Sequence, residues 1–357
     1  MMSKPINVGV VGATGMVGMQ FLRVLAEKKL NIANLYLFAS KRTAGRTMNF
    51  EGREITVEVL GEDSFDRDMD YAFFCASGTI SEKYAPLAAS KGVVVIDNSS
   101  HFRMKEGVPL VVPEVNPQAV VGHNNIIANP NCSTIQAVVA LSPLHQAYGI
   151  KRVVISTYQA VSGAGKEGIT DLVTGMAKIS WQTLRLKDAL ADPDHEKSPI
   201  DLLRPWQQYE LQTMSDYIAA NVIPAIGDID PVTGYTTEEL KLMNETKKIL
   251  GAPDMQVTAT AVRVPVINGH SEALNIELNK PFELSELKET LRNAPGLELL
   301  EDSPTPLKAS GGDTVLVGRV RVDTTCQGVD LFMSADNLRK GAASNGVQIL
   351  ELLVGLQ

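Results

Sequence analysis

Cys132 stands where a thiol can do chemistry. The segment NPNCSTIQAVVAL sets it directly ahead of an apolar run at helical spacing, so its sulfur falls near the positive end of a helix dipole, which favours thiolate. Asn131 and Ser133 carry side chains that can cap the amides exposed there, and Pro130 discourages helix on its N-terminal side. The local pattern fits a buried structural cysteine equally well, since free cysteine is often core. Cys75, within the apolar YAFFCA, and Cys326, within a polar turn, lack this setting and read as structural.

A second chemical signal lies near the start. VGVVGATGMVG places Gly12, Gly15 and Gly18 between an apolar run and a helical one, with Thr14, Met16 and Val17 in the same loop. Glycines there let the backbone turn tightly and approach a pyrophosphate at a helix N-terminus. At the end of the next apolar run, FASKRTAGR offers Ser40, Lys41, Arg42 and Thr43, and no acid where an NAD-preferring site usually has one. Hydroxyls and cations suit a 2′-phosphate, so NADP is the expected cofactor; a solvated basic loop is the alternative. In TTEELK, Thr236 and Glu239 fit a capping box, while Glu238 and Lys241 share a helix face and on their own read as an intrahelical ion pair. There is neither a CxxC pair nor an HxxxH, and no metal site is expected.

The elements that must position these groups follow from periodicity. Ile6 to Val11, Met16 to Lys28 and Leu35 to Ala39 read as strand, helix, strand, and further short apolar runs fall at Tyr71 to Ala76, Val93 to Ile96, Leu110 to Val112 and Ile126 to Ala128. That spacing is of a doubly wound sheet. After Asn131 the pattern changes: a helical run Ser133 to Leu141, a β-branched strand Arg152 to Thr157, and a mixed, mostly helical stretch from about 163 to 250 with polar insertions such as DPDHEKSP. Strand-like runs dominate Val257 to Glu277 and Thr314 to Ser334, suggesting an antiparallel or mixed sheet with helices on one face, and Asn337 to Leu353 reads as a helix.

Composition bounds the function classes. A chain of 357 residues with 44% hydrophobic and 21% charged residues suits a two-domain globular enzyme. A net charge of −8 without a basic stripe argues against a nucleic-acid surface. Three widely spaced cysteines do not make a disulfide framework and suggest a reducing compartment. No signal-peptide core or membrane-spanning apolar window is present, so the expected location is the cytoplasm, away from membranes.

With NPNCSTIQ the chain resembles the aspartate-semialdehyde dehydrogenase family, in its bacterial branch. The resemblance spans nearly the whole length: GATGMVG, NSSHFRM, VVPEVN, NPNCSTIQ, STYQAVSGAG, EELKLMNETKKIL, RVPVINGHSE and SADNLRKGAA occur in the family's order. It implies NADPH-dependent reductive dephosphorylation of L-aspartyl 4-phosphate to aspartate 4-semialdehyde through a cysteine thioester, on the way to lysine, threonine, methionine and diaminopimelate. It also implies an α/β fold. A Rossmann-like NADP-binding domain (1–132) would precede an α+β catalytic and dimerisation domain (133–336). The C-terminal helix (337–357) would return to the first domain. The assembly would be a homodimer or homotetramer, whose partners are the small substrate and phosphate.

The resemblance also implies roles. Cys132 is the nucleophile, and His270 in RVPVINGHSE, in a turn after a strand, carries protons. Gln159 orients the substrate beside the cysteine, with Asn131 next to it. Arg103 binds phosphate, Arg263 forks the α-carboxylate, Glu238 meets the amino group and Lys241 the phosphate. Ser162, Gly163 and Asn337 contact the nicotinamide half; Asn337 could equally cap the last helix. The segment 172–220 would build the subunit interface. Two other readings remain open: an N-acetyl-glutamyl-phosphate reductase with the same cysteine and histidine chemistry, and an inactive NADP-binding regulator. The EELK and RVPVINGHS segments favour the aspartyl substrate, and retention of Cys132 and His270 speaks against the regulator.

Overall fold

The computed structural model describes residues 4–191 and 209–355. The DPDHEKSP insertion, and with it part of the 172–220 segment, lies outside the described residues.

The first half winds as β1 (Ile6–Val11), α1 (Met16–Lys28), β2 (Ile32–Ala39), β3 (Thr47–Phe50), β4 (Arg53–Val59), β5 (Tyr71–Phe74), α2 (Gly78–Ser90), β6 (Val94–Asp97) and β7 (Ile126–Ala128). Among the described residues these strands form one seven-stranded sheet in the order β3-β4-β2-β1-β5-β6-β7. All pairings are parallel except β3 with β4, a hairpin at the edge that the periodicity did not suggest. Strand order reverses beside β1, so the loop after it opens at the sheet's topological switch point. β1 and β5 are buried at every position, which is why, Asn7 apart, they read as near-continuous apolar runs rather than alternations. Leu110 to Val112 does not make a strand; Leu110 forms only an isolated parallel bridge to Ala128.

The second half contains α3 (Cys132–Tyr148), β8 (Ile150–Gln159), α4 (Gly165–Ala191), α5 (Thr237–Leu250), β9 (Gln256–Arg263), β10 (His270–Leu278), α6 (Leu284–Arg292), β11 (Leu297–Leu299), α7 (Pro306–Ala309), β12 (Val315–Asp323), β13 (Gly328–Ala335) and α8 (Ser344–Gly355). Its strands form a six-stranded mixed sheet, β11-β12-β13-β10-β8-β9, in which β8 is antiparallel to β10 and parallel to β9. The run Val257 to Glu277 is thus two strands, separated by a turn that places His270 at the head of β10.

α3 is buried on nearly all sides from Ser133 to Leu144, so its pattern is continuous rather than striped. Its Ile135, Val138 and Leu141 share one core with Phe74 and Val95 of the first sheet and Val153 and Leu274 of the second. A separate core on the other face of the first sheet joins Phe21 and Leu25 of α1 to Val347, Leu350 and Leu353 of α8. The last helix therefore packs on the first domain. Asn337 is not its cap: Asp336 accepts the amides of Leu338 and Arg339, a π-turn runs over Arg339–Ala343, and α8 begins only at Ser344. Inside that turn the fully buried Lys340 gives its ammonium to Glu114 (2.6 Å) and Gln348 (2.9 Å). No helix among the described residues is long and apolar enough to cross a membrane.

Candidate active site

The nucleophile candidate sits where local sequence rules put it. α3 starts at Cys132, and Asn131 is its N-cap, its Oδ1 accepting the amides of Ser133 (2.9 Å) and Thr134 (3.3 Å). Ser133, the other capping candidate, does not cap; among the described residues its buried Oγ has no hydrogen-bond partner.

Cys132 lines a cavity of about 410 Å³ whose walls include Asn98, Ser100, Arg103, Asn131, Gln159, Ser162, Gly163, Glu238, Lys241, Arg263 and Asn337. The polar groups are wired to one another through Glu238. Its Oε1 accepts from Asn131 Nδ2 (2.9 Å) and Gln159 Nε2 (3.2 Å), and its Oε2 from Lys241 Nζ (3.2 Å). Thr236 and Glu239 form the expected capping box at the start of α5, and Glu239 also takes the amide of Ala261, which fixes α5 against β9. The Glu238–Lys241 pair is thus turned inward: the Glu238 side chain is 9% exposed. Burial would raise the Glu238 carboxyl, but the Lys241 ammonium and the bonds from Asn131 and Gln159 outweigh it and hold the group below its ordinary range.

Arg263, at the end of β9, donates Nη1 to the carbonyl of Ala160 (2.8 Å) while its side chain stays at the cavity wall. Arg103 comes from the opposite side. Its Nε donates to the Asn129 carbonyl (3.0 Å), Nη1 to Glu245 Oε1 (3.1 Å) and Nη2 to the Asn98 carbonyl (2.8 Å). Among the described residues this leaves one N–H on each terminal nitrogen, the arrangement that grips an oxyanion in two places.

His270 does not line the cavity directly. It is fully buried behind Gly163, whose missing Cβ would fall 3.3 Å from His270 Nε2 and 3.0 Å from Arg263 Nη1. Its Nδ1 accepts the amide of Ala160 (3.0 Å), and among the described residues Nε2 has no partner. Burial, aided by Arg263, pushes the imidazole down to about 3, against weaker opposition from Glu238 and the Gly269 backbone. The neutral ring with Nδ1 accepting must carry its proton on Nε2. The sequence suggested a histidine in a turn, titrating near neutrality; the structure has a strand-end histidine held neutral as a donor.

The thiol also differs from expectation. Burial pushes Cys132 up to about 12, Glu238 adds to this, and Arg103, Arg263 and Lys241 pull back. Desolvation outweighs the helix start, which favours the thiol form of Cys132.

The cofactor candidates occupy an adjoining cavity of about 550 Å³, lined by Gly12, Thr14, Gly15, Met16, Ser40, Lys41, Arg42, Thr43, Arg46, Ile80, Tyr84 and Lys166. Gly15, Met16, Cys75 and Gly165 line both cavities, and Val17 lines the one with Cys132, so the two form one cleft. The glycine loop fits close backbone approach. Gly12 has φ +82° and a Cβ there would meet the Cys75 carbonyl at 2.4 Å; a Cβ on Gly18 would meet the Gly12 carbonyl at 2.2 Å. Thr14 and Thr43 hydroxyls bond at 2.9 Å, tying the glycine loop to the loop after β2. At the far end Ser162 and Asn337 bond to each other, and Asn337 Oδ1 accepts the Gly269 amide (2.9 Å). The residues present fit a dinucleotide. Arg46, Tyr84 and Lys166 were missed in the sequence, as were Asn98 and Ser100; Arg46 was signalled by FASKRTAGR and Ser100 by NSSHFRM. Among the described residues no cluster of metal-ligating side chains occurs.

Residues 7–123 match the semialdehyde dehydrogenase NAD binding domain, and residues 141–340 the semialdehyde dehydrogenase dimerisation domain. A curated aspartate-semialdehyde dehydrogenase from Shewanella sp. (strain DB6705) is 46% identical over 99% of both chains. An enzyme of Vibrio cholerae, aspartate-semialdehyde dehydrogenase 2, is also 46% identical over 99% of both. Among solved structures, a Vibrio cholerae aspartate semialdehyde dehydrogenase II described as complexed with ASA superimposes with a TM-score of 0.87 at 44% identity, covering 99% of each chain. A Candida albicans aspartate semialdehyde dehydrogenase described as with NADP gives 0.72 at 25% identity and 98% of each.

Proposed function

This chain belongs to the aspartate-semialdehyde dehydrogenase family, and from that premise we propose that it reduces L-aspartyl 4-phosphate to L-aspartate 4-semialdehyde with release of phosphate, using NADPH. The observation that carries this reading is a single cleft in which Cys132, two arginines and the Glu238–Lys241 pair meet a glycine-rich dinucleotide loop.

The Cys132 sulfur attacks the acyl carbon; a C–S bond forms and the phosphate oxygen leaves, giving a thioester. The cofactor, when bound, supplies a hydride to the thioester carbon. The C–S bond then breaks, freeing the aldehyde and the sulfur. Arg103 receives the phosphate and Arg263 the α-carboxylate, with Lys241 beside the phosphate and Glu238 facing the amino group. Gln159 and Asn131, both bonded to Glu238, hold the acyl end against the sulfur. His270 presents Nε2–H to the oxygen on which charge develops. Removing the Cys132 proton through this ring requires that Nε2 first give up its own proton.

The preference for NADP rests on Ser40, Lys41, Arg42 and Arg46 lining the cavity beside Gly12 and Thr14. The reading divides the chain near residue 132, between the bounds of the two matched models, and takes 337–357 as a third piece returning to the first domain, a reading supported by the packing of α8 against α1. The matched models support a dimer; pairing of dimers into a tetramer, an interface built from 172–220 and a cytoplasmic site of action belong to the same reading. The product feeds lysine, threonine, methionine and diaminopimelate synthesis.

The test is phosphate-dependent NADP reduction with aspartate semialdehyde, followed by mass-spectrometric trapping of acylated Cys132. Preference for N-acetyl-glutamate semialdehyde would overturn the substrate assignment, and turnover without acylated Cys132 would overturn the thioester.

A further inference from the structure

Glu245 lies within the EELKLMNETKKIL segment but was given no role there, yet it is 1% exposed and each carboxylate oxygen has its own partner. Oε1 accepts from Arg103 Nη1 at 3.1 Å, and Oε2 accepts the backbone amide of Asn131 at 2.7 Å. Arg103 is on the loop after β6, whereas Asn131 caps the helix that Cys132 opens. Glu245 itself is on α5, two turns beyond Glu238 on the same stripe. One turn further, Lys248 Nζ donates to the carbonyls of Arg103 (2.7 Å) and Val108 (3.0 Å), so α5 holds the arginine by both side chain and backbone.

A buried guanidinium without this carboxylate would have one fixed point fewer. Asn98 and Asn129 carbonyls restrain Nη2 and Nε, but Glu245 alone ties Nη1 to the start of α3. We propose that Glu245 is a positioning residue that fixes the distance and orientation between the oxyanion-binding Arg103 and the nucleophile Cys132, one oxygen on each. Among the described residues one N–H on each terminal nitrogen of Arg103 is left unused, and Arg103 lines the cavity, so the carboxylate orients the guanidinium without using up its donors. The inference rests on the reading of Arg103 as the phosphate ligand.

Glu245→Gln tests it. One of its two contacts must become donor facing donor, because both Arg103 Nη1 and the Asn131 amide donate. In phosphate-dependent NADP reduction the KM for inorganic phosphate should rise about tenfold or more, with the KM for NADP within about twofold of the parent. In an Arg103→Lys background the same substitution should raise the phosphate KM less than about twofold, since the residue acts through Arg103. An unchanged phosphate KM in folded Glu245→Gln, or an equal effect with and without Arg103, would overturn the proposal. An unchanged phosphate KM in Arg103→Lys alone would instead strike the assignment of Arg103. Should Glu245→Gln fail to fold, a crystal structure of the parent protein with inorganic phosphate decides. Phosphate on Arg103 with the Glu245 bond intact supports the inference, and a phosphate that displaces Glu245 refutes it.

Discussion

Gly163 leaves open the space in front of His270: a Cβ there would stand 3.3 Å from Nε2 and 3.0 Å from the neighbouring Arg263 Nη1. The position lies in a short 3-10 turn without a positive φ, so alanine meets a steric demand at the site and no backbone penalty. Gly163→Ala should lower kcat by about ten- to a hundredfold, the cost of misplacing a reacting group by a fraction of an ångström, and leave thermal stability nearly unchanged. Steady-state kinetics beside a melting curve check this; wild-type kcat would mean that the imidazole is not used from this side.

Cys132→Ala should abolish turnover while NADP binding, followed by fluorescence titration, persists. In the parent protein without ligands, alkylation of Cys132 by iodoacetamide should keep accelerating above pH 9, because burial holds the thiol up to about 12. A plateau near pH 7 in that rate profile would show an activated thiolate at rest.

Glu272, two residues along β10 from His270 and on the same face, is fully buried and takes Gln136 Nε2 at 2.6 Å on one oxygen, while among the described residues the other has no partner. Burial, with Glu238 adding to it, raises its carboxyl to about 8. The folded protein then binds more protons than the unfolded chain between roughly pH 4.3 and 8, so stability falls as pH rises through that window. Glu272→Gln removes this dependence. The variant should match the parent near pH 4 and exceed it by about 3–4 kcal/mol at pH 7.5, read from urea melts. A parent whose stability is flat between pH 5 and about 8 would contradict it.

Removing cations at the cofactor loop should separate the two nicotinamide dinucleotides. Arg42→Ala, alone or with Arg46→Ala, should raise the KM for NADPH by roughly ten- to a hundredfold, the worth of one charge-assisted hydrogen bond, and change the KM for NADH little. Equal losses with both cofactors would mean that these arginines do not meet the 2′-phosphate.

What the sequence made legible was local. The glycine turn, α1 from Met16 to Lys28, the Asn131 cap and the Thr236–Glu239 box each depend on residues within a few positions of one another. What it hid was set by contacts across the chain. Glu245 meets Arg103 and Asn131 over 142 and 114 residues, and Glu272 meets Gln136 over 136. A charged stripe, Glu238, Lys241, Glu245 and Lys248, was visible on α5, but such a stripe normally faces water, and nothing nearby in sequence reveals that this one is turned inward. The states of Cys132 and His270 were misjudged for the same reason: a helix start can be read from NPNC, whereas desolvation depends on the assembled walls.

Phe21 and Leu350 lie in one core, and Lys340 is locked beneath the first domain by Glu114. During translation, then, the Rossmann sheet leaves the ribosome long before the helix that seals one of its faces exists. Until that helix is made, Phe21 and Leu25 lack the α8 side chains that cover them in the folded protein.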